Sequence, residues 1–471
     1  MIFAILQIMN PIDLTIVIFY IVLLFAVGII VGLRETADDF LILSRKAKVL
    51  LVLFSMVSTW VGVGTFVGTA AGGYDTGISV GFGAAVSALV GVIAIAFFAP
   101  TIKKFGDKFQ AHTIGDFFRV RYSKSNQALV GSIVVLSYFL FTATQFTGLA
   151  MLLHLWTNLS FEVLIIIAAL TTIIYTAFAG IKSDFYTDVI HFWVMVLVLF
   201  GIMLPIVLKS IGGFGGLLVL PHSYFAPFAF GGIPFFVGGI IFGMGAGFIA
   251  MEIWQRIYAA DSQKTAKRAM IISVLFIIAF YLLSMFFGMA AKILYPGLPN
   301  RDLAIFVLMQ RQLPTGFLGL GIAAFLAVFI SSVNTMIMVV TATLTKDFYK
   351  GLIKPDATDK QMLTMGRILT FAAGLGGLGF AFYVRDILTL STTALFMLLV
   401  FLPAILGGFF WKRATSTASF FSVLFGFLSG LLFLPKMPTT AFVPGFAISL
   451  IVFITVSFFS KHSESETVLS L

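Results

Sequence analysis

The stretch Ser58–Gly73, STWVGVGTFVGTAAGG, decides the fold of this chain. It is an apolar segment of the membrane type that also contains five glycines and several Ser and Thr residues. Because glycine weakens a helix by up to about 1 kcal/mol relative to alanine, this density predicts a helix that breaks midway. A break frees backbone carbonyls, which hydrocarbon tolerates only where protein, water or an ion satisfies them. The stretch therefore indicates either a cation or substrate site or close helix packing through small residues.

Composition places the chain among polytopic membrane proteins. Of its 471 residues, 60% are hydrophobic and 10% are charged, whereas about 25% of the residues in a soluble domain are charged. The lack of cysteine excludes disulfides, thiolate metal sites and Cys nucleophiles. The sequence shows no His–carboxylate metal cluster, nucleophile–base pair or P-loop, so we do not expect an enzyme. We also expect no nucleic-acid partner and no obligate protein partner. In a membrane protein, a formal charge of +10 reflects Lys and Arg residues in the loops beside the lipid bilayer.

Apolar runs of about 20 residues predict thirteen transmembrane helices. When they are taken alternately from an external N-terminus, the cytoplasmic loops and tail hold 23 of the 29 Lys and Arg residues. This bias follows the positive-inside rule and predicts a multi-pass protein of the cell membrane with its N-terminus outside and its C-terminus in the cytoplasm. No Lys or Arg precedes the first span, which we therefore expect to be retained rather than cleaved as a signal peptide. The spans lie near residues 11–33, 47–71, 76–100, 128–156, 161–181, 185–208, 232–259, 269–291, 316–345, 362–384, 386–410, 415–435 and 440–460.

Span seven contains a second glycine-rich stretch, GGIIFGMGAGFIAMEIWQR, at residues 238–256. If the first span is peripheral, the two broken spans begin two consecutive five-helix groups of opposite topology. Matching breaks in two inverted halves point to a secondary transporter with its site near the membrane midplane. We therefore predict an all-α polytopic membrane protein with a five-plus-five inverted repeat and two broken helices, forming a single transporter domain over residues 1–471. Its parts are a peripheral first helix at 11–33, a first repeat at 47–208, a second repeat at 232–410 and two C-terminal helices at 415–460.

Span nine presents hard oxygen ligands on one face. Val328, Ser331 and Ser332 stand at positions i, i+3 and i+4, so a carbonyl region and two hydroxyls share one side of the helix. Hard cations prefer such oxygens, and a set without a carboxylate suits a weakly held monovalent ion. The alternative is that both serines bond back to the preceding helical turn.

Further polar residues extend this face toward the cytoplasm. Asn334 and Thr335 lie one turn beyond the serines, and Asp188, at the inner end of span six, offers a carboxylate for a second cation position or an exit path. The alternative for Asp188 is an interfacial position in the headgroup region. We expect Asp184 to be interfacial.

Five stretches of the chain, in order, resemble the sodium:solute symporter family, whose members carry sugars, proline, pantothenate, monocarboxylates, sialic acid or choline together with sodium. They are FVGTAAGGYDTG, TAFAGIKSDFYTDVIHF, WQRIYAADSQKTAKRA, AVFISSVNTMIMVVTATLTKDFYK and GGFFWKRATSTAS. The resemblance covers nearly the whole chain and implies the leucine-transporter type of inverted repeat, with sodium between the first broken helix and span nine. It gives Asp188 a role in sodium release or at a second sodium ion, where some relatives carry hydroxyls at the positions of Asn334 and Thr335. The sodium ligands it implies are the carbonyls of Ser58, Val61 and Val328 and the hydroxyls of Ser331 and Ser332.

The solute is a small organic molecule whose identity the sequence does not specify. SMVSTWVGVG resembles the choline-carrier branch, and Trp60 offers a π face to a quaternary ammonium, but Ala250 stands where that branch has a cage aromatic. Thr65 stands where sugar carriers have Gln, which disfavours a hexose. Glu252 is expected to pair with a cationic solute, or to reach the inner interface or an arginine one turn away, and Trp254 to contact the solute or to anchor the interface. The predicted substrate contacts are Trp60, Thr65, Thr142, Gln145, Glu252 and Trp254.

The predicted function is sodium-coupled symport of a small organic solute into the cell by alternating access. One alternative is a proton-coupled carrier on the same fold, with Glu252 or Asp188 as the proton site. Another is a sensor or channel that has kept the transporter fold.

Overall fold

The computed structural model describes residues 10–32, 35–157, 159–178, 180–383, 387–437 and 440–460. Within these residues the chain is almost entirely helical, with one isolated bridge between Ala47 and Ala260. Ten helices are long and apolar enough to cross a membrane, two further spans are bent helix pairs, and Val443–Phe459 is a shorter apolar helix. Each predicted span corresponds to one of these elements. The count of thirteen stays a prediction because the last helix is shorter than the others.

The two halves of the chain contribute similar sets of helices. The first half contains α1 (Pro11–Gly32), α2 (Ala37–Ile42), α3 (Val49–Trp60), α4 (Val63–Thr76), α5 (Ile78–Phe109), α6 (Ile114–Arg121), α7 (Lys124–His154), α8 (Phe161–Phe178) and α9 (Ile181–Ser210). The second half contains α10 (Gly232–Ile249), α11 (Met251–Ala259), α12 (Gln263–Leu294), α13 (Ala304–Gln312), α14 (Phe317–Ile353), α15 (Asp359–Tyr383), α16 (Ile387–Leu399), α17 (Leu402–Phe410), α18 (Ser416–Phe433) and α19 (Phe442–Phe459).

The chain breaks twice inside the membrane region. α3 and α4 form one bent span with an angle of 53°, and the second bent span, from α10 to α11, has an angle of 51°. The first break lies at Val61 and Gly62, inside the glycine-rich stretch. The second lies at Ala250, where the backbone is extended, and therefore after the glycines of span seven rather than among them.

One helix, α7, satisfies the backbone at both breaks. The Gln145 side-chain oxygen accepts a hydrogen bond from the Val63 N–H at 3.1 Å. The Tyr138 hydroxyl accepts one from the Met251 N–H at 2.8 Å. Since residues seven apart share one face of a helix, a single face of α7 supports both breaks and holds them opposite each other.

α14 forms the centre of the bundle, and the apolar window of its sequence is entirely buried. α1 lies at the outside and attaches to it through Asp13. The buried Asp13 carboxylate accepts hydrogen bonds from the backbone N–H groups of Gly316, at 2.7 Å, and Gly319, at 2.6 Å. These groups lie at the start of α14, where helical N–H groups lack partners, so the carboxylate caps the central helix.

Candidate functional site

The two serines of span nine lie directly against the first helix break. The Ser331 hydroxyl donates to the Ser58 carbonyl at 2.9 Å, and the Ser332 hydroxyl donates to the Thr59 carbonyl at 3.0 Å. Ser331 also lies 2.7 Å from the carbonyl of Ala327, one turn back in its own helix. The alternative of a bond to the preceding turn is therefore realised at Ser331, while the cation site stays a prediction. The result is a buried group of hydroxyl and carbonyl oxygens without a carboxylate.

The other predicted ligands lie at the same junction. Val328 is one turn before Ser331, and its carbonyl oxygen is 3.4 Å from the Ser331 hydroxyl. Val61 follows the last residue of α3 with ψ of 73°, so its peptide group departs from the helix. Close approach here requires Gly62, since a Cβ at that position would stand 2.6 Å from the Ser332 hydroxyl oxygen and 3.2 Å from the Gln145 amide nitrogen. The glycine thus permits α14 to contact the break.

A buried charge cluster lies one helical turn further along α14. The Arg256 guanidinium donates to Asp184 at 3.3 Å, to Thr335 at 2.7 Å and to the Thr59 hydroxyl at 2.6 Å. Asp188 lies 3.7 Å from the same guanidinium. Asp184 is 2% exposed and bonded within the cluster, so the expectation that it is interfacial is wrong. The interfacial alternative for Asp188 is also wrong, because this side chain is 0% exposed.

Asp188 links the cluster to the first break. The Ser55 hydroxyl donates to its carboxylate at 2.6 Å, and the Ser58 hydroxyl donates to its backbone carbonyl at 3.0 Å. Asn334 accepts a hydrogen bond from Thr176 on α8 at 2.7 Å, and its side chain also lies beside Asp184. Of the residues predicted for a second cation or a release path, the structure therefore gathers Asp188 and Thr335 around a guanidinium and places Asn334 at the edge of this cluster, toward α8.

A cavity of about 300 Å³ lies between the two breaks. Four of the predicted substrate contacts line it: Trp60, Thr65, Gln145 and Glu252. The Tyr138 hydroxyl that supports the second break also donates to the Glu252 carboxylate. Tyr281 and Phe141 add aromatic surface to the wall, and Ala250 lies there as well.

The other two predicted contacts lie outside this cavity. The Thr142 hydroxyl donates to the Tyr138 carbonyl at 2.7 Å, and its methyl group packs toward Gly377. Trp254 is fully buried and donates from its indole nitrogen to the Phe248 carbonyl at 2.9 Å. Its environment is the protein interior, so the alternative that it anchors the interface is wrong as well.

Arg256 and Tyr138 belong to the site although the sequence did not single them out as functional residues. The available signal for Arg256 was that it belongs to the amphipathic run Met251–Ala259, and an arginine within a predicted span is a functional candidate. Tyr138 had no local signal, since its role arises from contact with a break over a hundred residues away.

The amino-acid sequence matches a known protein family. The model of the sodium:solute symporter family matches residues 40–426. The chain is 25% identical over 480 residues to a sodium/glucose cotransporter of Vibrio parahaemolyticus, covering 91% of this chain and 86% of that protein. It is 25% identical over 370 residues to the sodium/proline symporter of Escherichia coli (strain K12), covering 74% and 73%, respectively.

Solved structures share the fold. A sodium-coupled sialic acid symporter in a substrate-bound outward-open state superposes with a TM-score of 0.86 at 19% identity, over 98% of this chain and 100% of that one. A nucleobase-cation-symport-1 family transporter in a closed conformation superposes with a TM-score of 0.63 at 16% identity, over 92% and 98%. The observed arrangement of helices around two breaks is therefore that of a known transporter fold.

Proposed function

Because the chain belongs to the sodium:solute symporter family and is a secondary transporter that couples solute transport to sodium, we propose that sodium binds where the break after α3 meets α14. The ligands are the carbonyls of Ser58, Val61 and Val328 and the hydroxyls of Ser331 and Ser332. The observation that carries this proposal is the pair of hydroxyl-to-carbonyl hydrogen bonds that joins Ser331 and Ser332 to α3. A sodium ion bound there would be coordinated by lone pairs of the same oxygens once the two hydroxyl protons turn away from it, and neutral ligands of this kind release a monovalent cation readily.

Alternating access follows from which elements this site connects. Sodium binding ties α3 to α14 while the cavity stays open along α4 and α5, where Gly68 and Ala84 line it. Rocking of one helix group against the other then separates the oxygens and releases ion and solute together. A membrane voltage that is negative inside favours the inward movement of each positive charge by about 2.3 kcal/mol per 100 mV.

We propose that this cycle moves a small organic solute into the cell. The bias of Lys and Arg toward one set of loops supports a cell-membrane orientation with the N-terminus outside and the C-terminus in the cytoplasm. We propose that the transporter domain contains a first repeat at 47–208 and a second repeat at 232–410. We also propose that it needs no obligate protein partner. Trp60, Thr65, Gln145 and Glu252 form the solute site.

The buried charge cluster serves as the sodium release path in this proposal. Asp188 carries a carboxylate next to the first break, and Thr335 leads from it toward the cytoplasm. The guanidinium of Arg256 already provides a positive charge between the two aspartates. We therefore assign Asp188, Asn334 and Thr335 to the exit of the coupling ion rather than to a second bound sodium.

A sodium-dependent stability measurement tests the cation site without knowledge of the solute. Purified protein is heated in NaCl or in KCl at equal ionic strength, and an ion that binds only the native state raises the unfolding temperature. We expect a sodium-specific increase that the double variant Ser331→Ala, Ser332→Ala loses, since both hydroxyl ligands are removed.

Ser422→Ala is the matched control. It removes another buried serine hydroxyl, which bonds to Ser449 at 2.9 Å on the C-terminal helices α18 and α19. This variant should keep the full response to sodium. An undiminished response in the double variant would overturn the assignment of the ligands.

A further inference from the structure

The cavity between the helix breaks is lined by one acidic side chain. Glu252 is the only charged side chain among the described residues that line it. Arg256 lies one turn further along α11, but its guanidinium points into the buried cluster, where it pairs with Asp184 at 3.3 Å and Asp188 at 3.7 Å. Two carboxylates already balance that guanidinium, so the charge of Glu252 has no counter-charge in the cavity wall.

The Glu252 carboxylate is held in position. Its partner, the Tyr138 hydroxyl, donates to one carboxylate oxygen and accepts from the Met251 N–H at 2.8 Å. With its proton and its oxygen both engaged, Tyr138 ties the carboxylate to the second helix break. Glu252 remains half-buried at the cavity, so a bound solute contacts a fixed anion.

Several polar side chains around the cavity bond within the protein. Thr65 donates to the Trp60 carbonyl at 2.7 Å, and Ser391 donates to the Ile387 carbonyl at 2.8 Å. The side-chain oxygen of Gln145 accepts from the Val63 N–H at the first break. Because these groups are engaged before any solute binds, the wall does not favour a polyhydroxylated solute, which needs many unengaged donors and acceptors.

Aromatic rings provide the remaining surface. Trp60, Tyr281 and Phe141 line the cavity, and the Trp60 indole nitrogen donates to the Tyr281 hydroxyl at 3.4 Å, which fixes these two rings relative to each other. The faces of Trp, Tyr and Phe rings attract cations. The wall therefore combines one fixed carboxylate with aromatic surface.

We propose that the transported solute carries a cationic nitrogen that pairs with the Glu252 carboxylate among these rings. This inference rests on the proposed function in taking the cavity as the solute site. Closure around a neutral or anionic solute would bury the carboxylate with the Tyr138 hydroxyl beside it but without a counter-charge, which a low-dielectric interior strongly disfavours. A cationic nitrogen neutralises the carboxylate, so closure with sodium becomes favourable.

Matched pairs of solutes test the charge requirement in the full chain. In the quaternary-ammonium arm, choline is compared with neohexanol, in which carbon replaces the nitrogen. In the ring-amine arm, L-proline is compared with tetrahydrofuroate, in which oxygen replaces the nitrogen. Each solute is titrated in NaCl while the unfolding temperature is recorded. We expect stabilisation by a cationic member at a concentration at least about tenfold below that of its analogue, and about a tenfold loss of this stabilisation in Glu252→Gln.

Glu162→Gln at the start of α8 is the control and should leave the solute response unchanged. The inference is overturned if an analogue without charged nitrogen binds as well as its partner, if Glu252→Gln binds the cationic solute unchanged, or if neither cationic arm stabilises the protein. The sodium response in the absence of solute depends on Ser331 and Ser332 and not on Glu252. If Glu252→Gln keeps this sodium response, the variant is folded and its sodium site is intact. A failure of the proposed solute class is then distinguishable from a failure of the proposed sodium site.

Discussion

Glu35 is a buried carboxyl group where the chain leaves α1 and enters α2. It accepts hydrogen bonds from the Ser183 backbone N–H at 3.3 Å and from the Ser183 hydroxyl at 3.1 Å. Burial raises the pKa of this carboxyl from 4.5 to about 7, although Ser183, Lys182 and Arg367 lower it. The connection between α1 and α2 thus contains a group that titrates near neutral pH.

We expect the thermal stability of the protein to fall with rising pH more steeply than that of Glu35→Gln. Between the ordinary pKa of 4.5 and the raised pKa of about 7, the folded protein keeps a proton that the unfolded chain has lost, so the free energy of unfolding decreases as pH increases. A shift of this size corresponds to about 3 kcal/mol once the group is ionised. Unfolding temperatures of both proteins across this pH range measure the difference, with Glu162→Gln as the control. Parallel pH profiles would contradict the prediction.

Local periodicity was enough to predict some site residues and not others. Ser331 and Ser332 lie three and four residues after Val328, so both lie toward the same side of the helix as Val328, and this placement needs no tertiary information. Arg256 is different, since its burial depends on Asp184 and Thr335 converging on it from two other helices. A sequence shows that an arginine stands in an amphipathic run, but the partners that make its burial tolerable come from the fold.

At the scale of the helix, glycine density has two different causes in the two bent spans. In the first span, Gly62 lies at the break itself and admits the Ser332 side chain. In the second span, the break at Ala250 contains no glycine, and the preceding glycines of α10 allow close packing. A Cβ on Gly243 would overlap the carbonyl of Ser87 on α5, and one on Gly91 would overlap the carbonyl of Gly243. The sequence predicted two broken spans, but composition could not separate a break from a packing contact, because both favour glycine.

Two alanine substitutions in α10 should therefore act in opposite directions. Gly243→Ala forces α10 away from α5 and should lower the free energy of unfolding by about 1–3 kcal/mol. Gly238→Ala places its Cβ where no heavy atom lies within 4 Å, so it should raise stability by up to about 1 kcal/mol through helix propensity. Thermal unfolding of the two variants beside the unsubstituted protein provides the measurement. Equal effects of the two changes would show that the Gly91–Gly243 contact does not determine the position of α10.

At the scale of the whole molecule, hydropathy and charge predicted the order of the spans because both act on each segment separately. They do not report which side of the site is open, because that depends on how the helix groups are placed relative to each other. In the structure, Gly68 of α4 and Ala84 of α5 line the cavity, and the buried Arg256 cluster lies beyond Glu252 along α11. We therefore expect the solute to reach the cavity from the side of α4 and the cluster to close it near α11.

A chain without cysteine allows this state to be tested with single introduced thiols. Ala84→Cys lies in the cavity wall, whereas Ala260→Cys lies at the end of α11, where Ala260 is 0% exposed beside Ala47. In sodium, we expect a membrane-impermeant maleimide to label Ala84→Cys and to leave Ala260→Cys unlabelled. Arg256→Gln should reverse this preference, because it leaves two buried aspartates without their cationic partner and so destabilises the closed side near α11.

The comparison needs a variant that removes an arginine without touching the cluster. Exposed Arg268, at the start of α12, provides it, and Arg268→Gln should leave both labelling rates unchanged. A single cooperative unfolding transition shows that Arg256→Gln is folded. If Ala260→Cys is already labelled rapidly in sodium, the cluster does not close the path near α11. The same conclusion follows if Arg256→Gln does not accelerate this labelling. Arg256→Gln should instead accelerate the labelling of Ala260→Cys several-fold and slow the labelling of Ala84→Cys. Opposite changes at the two positions would show that both report one conformational equilibrium, which alternating access around a central site requires.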